Sequence, residues 1–464
     1  MESGSRNLHE QTATASQGER PNIILVVADD LRADDLAAMP AVQALLVEQG
    51  IVCNQCVASA PGCAPARASI LRGQYPHNHG VLRGSGRVGG FTRFQAMGNE
   101  ASTVATWLRD AGYRTALVGK YLNEYPLGAE PTHVPPGWSE WAGATKGGYH
   151  GFELNENGTL VRYRKRDGAY QTDVLADLAI DFIRRAELEP EAFFLLLTPR
   201  APHGPATPAE RHAGEFAGTD APRPPSFDAD HLQDKPRWLR QAPALTDEQI
   251  AHVDATFRAR QETLQALDEL IGELVTELDR QGSLASTYII LTSDHGYHLG
   301  EHRIVGGKGT PYEEAIQIPL VVRGPGLARR ECAALASSID LAPTIADWAG
   351  VEAPGFVDGR SLHPVLSGEQ EPDSWRSAVF VQHHHNRPER TDGPPAFRAL
   401  RGDGLIYVEY ADGWRELYDL EEDPHQLDNL ATDVDDETLR SFAAGLASLA
   451  ECAADRCREA ENAA

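Results

Sequence analysis

Cysteine is scarce in this chain, with six among 464 residues. That excludes a fold built on disulfides. The one CxxC, Cys53 with Cys56, lacks the second pair that a zinc ribbon needs, so both thiols read as reduced core or loop residues. Cys452 and Cys457 lie in an Ala- and Glu-rich tail and could pair only in an exported protein. Positive charge is also short: 42 Lys plus Arg stand against 68 Asp plus Glu, a net charge of −26. Such an excess argues against nucleic acid or an acidic membrane as a partner. No run of about 18 apolar residues occurs, so no membrane-spanning helix is expected. The opening MESGSRNLHEQTATASQGER has neither a basic start nor an apolar stretch. Residues 1–20 are therefore expected to be a disordered lead-in, and the protein to be cytoplasmic.

What is present describes a globular chain, 41% hydrophobic and 24% charged. Five short, β-branched apolar runs have the character of buried parallel strands: Asn22–Ala28, Thr115–Val118, Phe193–Thr198, Tyr288–Thr292 and Pro319–Val322. Helical patterns lie between them. Ser102–Gly112 is one. The clearest begins at Thr246, where Thr-Asp-Glu-Gln offers a capping box, and keeps the 3.6-residue period from Ile250 to Leu278 before Gly282. The alternation implies an α/β fold, a doubly wound, mostly parallel sheet flanked by helices, over residues 21–370. Near its end the chain changes: LIYVEYADGWRELYDL alternates around Asp412–Gly413, a hairpin signal. A smaller C-terminal antiparallel α+β subdomain is expected over 371–435, then a helical tail over 436–464. The Pro-rich stretch 202–243 reads as a surface excursion.

Open α/β sheets bind ligands at the carboxyl ends of their strands. Here those ends carry Asp29 and Asp30, Lys120, His203, Asp294 and His295, with Lys308 following in GGKGTPYEEA. Singly, each has an ordinary reading as a helix cap, a solvated charge or a turn residue. Together they fall in one crevice. Three carboxylates and a histidine suit a hard divalent cation, calcium before magnesium. Lysines, an arginine and a histidine beside that cation suit a tetrahedral oxyanion. In DHGYHLGEH, His298 and His302 are four apart, but the two glycines favour a loop near the pocket over a helical zinc pair. QHHHN, with His384 at its centre, reads as a substrate-facing loop of the smaller domain.

One motif is more specific. Cys63, Pro65 and Arg67, followed by Ala68, Ser69, Leu71 and Gly73, resemble the signature of the type I, formylglycine-dependent sulfatases of the alkaline phosphatase superfamily. The flanking motifs are present in order: the Asp pair, GK with an aromatic residue at 119–121, SDHG at 293–296 and GKGTxYE at 307–313. GQYPHNHGV, GKYLNEY and ELYDLEEDPHQLDNLA look most like the N-acetylglucosamine-6-sulfatase branch.

The resemblance implies that a formylglycine-generating enzyme, a transient partner, oxidises Cys63 to an aldehyde before folding. It implies that one hydroxyl of the aldehyde hydrate attacks sulfur, and that loss of the other hydroxyl's proton expels sulfate. By the same resemblance, Asp29, Asp30, Asp294, His295 and the modified Cys63 hold the metal, and Arg67 fixes their geometry. Lys120, Lys308 and His203 bind the sulfate, with His203 or Lys308 as the acid for the leaving alcohol. A saccharide sulfate ester follows from the branch alone. The chain departs from many relatives where a histidine stands two residues after the lysine of the GK motif: here it is Leu122, then Asn123. A phosphonate monoester or phosphodiester hydrolase, or a non-catalytic anion-binding homologue, shares most of these motifs.

Overall fold

The strand Asn22–Ala28 is apolar on both faces because both faces are covered. Ile23, Leu25 and Val27 join a core with the helices Cys63–Arg72, Val104–Asp110 and Leu341–Trp348. Ile24, Val26 and Ala28 point the other way, into a core with the helices Gln171–Ala186 and Asp247–Gln281. Truncating one of these buried leucines or isoleucines to alanine would cost about 2–5 kcal/mol. A computed structural model describes residues 20–230, 232–384 and 394–464, with the backbone alone at 373. Residues 1–19 of the expected lead-in over 1–20, and His385 and Asn386 of QHHHN, lie outside the described residues.

Among the described residues the main sheet has ten strands. Its parallel centre runs Thr287–Ser293, Asn22–Ala28, Phe193–Thr198, Arg114–Gly119 and Glu140–Lys146. Phe152–Glu156 and Thr159–Tyr163 continue one side antiparallel. On the other side stands Leu320–Arg323, then Ile51–Cys53 and Arg330–Cys332. The sheet is thus mixed, with the doubly wound core that the sequence implies. One strand corrects the expectation: Leu320–Arg323 is antiparallel to both its neighbours. A short buried apolar run carries no sign of its direction.

The helix Asp247–Gln281 has Thr246 as its N-cap, in a reciprocal capping box with Gln249, and Gly282 closes it in the left-handed region. The C-terminal sheet is an antiparallel meander of Ala378–His383, Phe397–Gly402, Leu405–Tyr410 and Arg415–Asp419. Asp412 and Gly413 make the expected turn, with Gly413 at φ 88°. The helices Asp436–Glu451 and Asp455–Ala463 pack against this sheet, and Cys452 is bonded to Cys457. Cys53 and Cys56 are buried free thiols, as expected.

The Pro-rich stretch is more than a surface excursion. Lys235 is fully buried, with its ammonium on the Tyr418 hydroxyl at 2.6 Å and on the Gln426 carbonyl. Glu416 gathers the hydroxyls of Tyr312 (3.0 Å), Tyr410 (2.6 Å) and Tyr418 (2.7 Å) beside it. A buried lysine is tolerated only with such partners. It clamps the excursion to the small sheet and to Tyr312, four residues after Lys308.

Candidate active site

Cys63 is the first residue of the helix Cys63–Arg72. Gly62 precedes it in extended conformation without a side-chain cap, and Pro65 lies in the first turn, where a missing N–H costs nothing. The helix start therefore keeps free N–H groups and positive potential beneath residue 63. Gly73 ends the helix at φ 65°, and a Cβ there would lie 2.8 Å from Val357. Only glycine fits both demands.

The strand ends deliver the rest. Cys63 is 6% exposed, and its Sγ lies 3.3 Å from His295 Nε2, 3.3 Å from Lys308 Nζ and 3.6 Å from Asp29 Oδ1. Lys120 Nζ donates to Asp29 Oδ2 at 2.6 Å, and Lys308 Nζ donates to Asp30 Oδ1. His295 Nδ1 is 3.5 Å from Asp30 Oδ1. Ligand atoms of Asp29, Asp30, Cys63 and His295 all lie within 4.8 Å of one another.

Asp294 stands slightly apart from these four. Its Oδ1 accepts the backbone N–H of Asp30 (3.2 Å) and of His295 (3.1 Å), and its Oδ2 accepts Arg67 Nε at 2.9 Å. Arg67 also donates to the Lys120 carbonyl at 3.3 Å, while its Nη2 is buried without a hydrogen-bond partner, 3.9 Å from Asp29.

His203 caps the group from the loop after Phe193–Thr198. Its Nδ1 faces the Gly204 carbonyl at 2.6 Å and Arg200 at 3.3 Å, and the ring engages the Cys63 side chain. Tyr149 holds the His203 carbonyl at 2.9 Å. His384 lies outside this group, at the end of the strand Ala378–His383. Its neighbour His383 packs where a Cβ on Gly309 would fall, 3.1 Å away, so that edge of the small sheet abuts the Lys308 loop. Leu122 is buried in the core on the Cys63–Arg72 side of the main sheet. His298 and His302 sit in a loop, as expected, with His298 Nε2 2.7 Å from the Thr310 hydroxyl.

The electrostatics follow from crowding opposite charges in a buried place. Burial raises the Cys63 thiol, but Lys120 and Lys308 outweigh it and bring its pKa to about 5. Burial likewise raises Asp29, yet Lys120, Arg67, His203 and Lys308 hold it well below the usual carboxylate range. Asp30 is lowered against burial by Lys308 and His295. His295 is raised to about 9, against burial, chiefly by Asp294. Asp29 and Asp30 are thus held as carboxylates, which suits a cation beside a tetrahedral oxyanion.

One contributor escaped sequence reasoning. Arg260, within the long helix, donates from Nη2 to the Asp30 carbonyl at 2.7 Å. A solvated charge is the ordinary reading of a helical arginine, and the signal against it was its place on the apolar stripe between Phe257 and Leu264.

Comparison with known proteins decides the family. The sulfatase profile matches residues 21–351, which hold every residue around Cys63. The chain belongs to the sulfatase family. It is a sulfuric ester hydrolase. A second profile, the C-terminal region of N-sulphoglucosamine sulphohydrolase, matches residues 300–449. The N-acetylglucosamine-6-sulfatase of Capra hircus is 34% identical, over 96% of this chain and 86% of the relative. That of Homo sapiens is also 34% identical, over 96% and 87%. A structure solved in complex with its substrate D-glucosamine-2-N,6-O-disulfate aligns with TM-score 0.81, covering 96% of this chain and 99% of that one at 24% identity. The phosphonate monoester hydrolase of Silicibacter pomeroyi aligns with TM-score 0.71 at 26% identity, over 92% and 93%.

Proposed function

We propose that this sulfatase hydrolyses the 6-O-sulfate of a glucosamine-type sugar, using a formylglycine at position 63 and one divalent cation, calcium. The observation that carries this reading is the convergence on Cys63 of Asp29, His295 and Lys308 within 3.6 Å. The sugar rests on the relatives, both N-acetylglucosamine-6-sulfatases. The thiol Sγ marks where the oxygen of the modified residue would stand.

The donor set fits a hard cation: two buried carboxylates, a histidine and residue 63, with Asp294 able to lend a remaining lone pair. When present, the cation supplies electrophilic polarisation and the modified residue supplies a hydroxyl nucleophile with a built-in exit for the product. The chain's own side chains do the rest. Lys120 and Lys308 neutralise the ester's anionic oxygens. Arg67 anchors Asp294 and thereby the turn His295 belongs to. His203 carries a raised pKa, against burial, through Cys63, Asp29 and Asp30, which favours the protonated ring that can hand a proton to the departing alcohol. Lys308, held charged against burial by Cys63, Asp30 and Asp29, donates toward the oxygen at position 63.

The test is competition between matched substrates on aldehyde-bearing protein. N-acetylglucosamine 6-sulfate and an aryl sulfate should release sulfate, and the matched aryl phosphonate should turn over far more slowly. The reverse order would transfer the reading to phosphonate esters, and tight anion binding without turnover would leave a binding protein.

A further inference from the structure

Arg260 is a guanidinium 1% exposed, midway along the helix Asp247–Gln281. Val253, Phe257, Leu264 and Leu267 occupy the neighbouring positions of its face, so it stands where the period calls for an apolar side chain. Burying such a charge is costly unless it is paired, and the structure shows what it is paired to. Its Nη2 donates to the Asp30 carbonyl at 2.7 Å and to Asp35 Oδ2 at 3.0 Å, and the guanidinium lies 4.5 Å from the Tyr297 ring centroid. Its Nε and Nη1 have no hydrogen-bond partner. Its hydrogen bonds thus leave from Nη2 alone, to the Asp30 carbonyl and to the Asp35 carboxylate.

Asp35 is itself held. It accepts the Arg32 N–H at 3.0 Å and Gln261 Nε2 at 2.6 Å. Arg32 continues to the Tyr297 carbonyl at 2.7 Å and to Glu301 at 2.8 Å. Two other stretches thus brace the turn after the strand Asn22–Ala28: the long helix and the loop 297–301.

The turn needs bracing. Asp30 has φ 71°, a left-handed conformation that a non-glycine residue adopts at a cost. Both its backbone groups are tied, the N–H to Asp294 and the carbonyl to Arg260. Held so, its carboxylate faces Lys308 and His295, beside that of Asp29.

We propose that Arg260 is a positioning residue for the cation site: by gripping the Asp30 carbonyl it maintains the left-handed turn that presents the Asp29 and Asp30 carboxylates to position 63. The inference rests on the reading of those two residues as cation ligands. It predicts more than lost stability, because a purely structural guanidinium would weaken the fold without selectively weakening the ion.

The experiment uses the full chain and calcium as the probe, with affinity from titration calorimetry and the melting temperature of the metal-free protein measured beside it. Arg260→Met should bind calcium about tenfold or more weakly, the range in which partners of metal ligands act. Arg260→Lys, which keeps the charge but reaches with a single ammonium, should fall between it and wild type. Arg376→Lys is the control: the Arg376 side chain is as deeply buried as that of Arg260 and pairs with Asp340 at 2.8 Å, with no hydrogen bond or ion pair to Asp29, Asp30 or Cys63 among the described residues. It should melt lower and bind calcium within about twofold of wild type. Wild-type affinity in Arg260→Met overturns the proposal, and if that variant does not fold, wild-type affinity in Arg260→Lys does so. A wild-type protein that binds neither calcium nor magnesium overturns the cation-site reading and the proposal together.

Discussion

Replacing Lys308 by alanine should separate the two roles proposed for its ammonium, at the sulfate and at Asp30. It stands 3.3 Å from Cys63 Sγ and pairs with Asp30. Charge that develops on the sulfate oxygens loses one preorganised donor, and losing one such donor costs about 2.7–4 kcal/mol, a drop in kcat of about 10²–10³. Asp30, meanwhile, keeps a buried carboxylate with one counter-charge fewer. Removing one partner of a buried pair costs about 3–5 kcal/mol. Here the loss should be smaller, about 1–3 kcal/mol, because the Lys308 side chain is 24% exposed and His295 remains 3.5 Å from Asp30.

A divalent cation on Asp29 and Asp30 would restore the missing charge. Calcium should therefore return the melting temperature of Lys308→Ala to within a degree or so of the calcium-bound wild type, while kcat stays low. Thermal melts in chelator and in calcium, with steady-state turnover of an aryl sulfate, read both effects. A variant within about threefold of wild-type kcat would refute the role at the sulfate. A stability loss that calcium does not relieve would refute the shared carboxylate.

Two further outcomes follow from the buried charges. In protein made without the modifying enzyme and stripped of metal, Cys63 should alkylate with a pH midpoint near 5, thiolate forming above it, while Cys53 and Cys56, whose thiols are pushed up, stay unreactive at pH 7; a midpoint near the ordinary thiol value would contradict the lysine field. Burial, with Glu301 second, raises the Glu314 carboxyl to about 8. A raised carboxyl favours folding below its unfolded value near 4.5, and that contribution is lost as pH rises through about 8. Glu314→Gln should thus match wild type near pH 4.5 and melt higher at pH 9, by about 1–3 kcal/mol of stability. A constant difference across that range would contradict the shift.

Much of the fold is legible because local chemistry and packing agree there. The helix Asp247–Gln281 announces both ends, through Thr246 and Gly282, and its face through period. The hairpin at Asp412–Gly413 needs a left-handed glycine, and the chain supplies one. The strand Leu320–Arg323 was legible as a strand but not in direction, since direction is set by partners far along the chain. The strands Glu140–Lys146, Phe152–Glu156 and Thr159–Tyr163 escaped notice because they mix charged with apolar residues at one edge of the sheet.

The site was legible where a strand end and a motif coincide, as at Asp29, Lys120 and Asp294. It was not legible where a charge is buried by tertiary contact alone. Lys235 lies in a Pro-rich stretch that reads as surface, and Arg260 in a helix whose arginines otherwise read as solvated. Position 122 shows the reverse case. It follows a site motif in the sequence, yet its apolar side chain is a buried core residue.

The central claim is that residue 63 works as an aldehyde. Mass spectrometry of the peptide bearing that residue, from protein isolated from its native source, tests it most directly. Formylglycine is the expected species, and an intact cysteine thiol in active material would contradict the account.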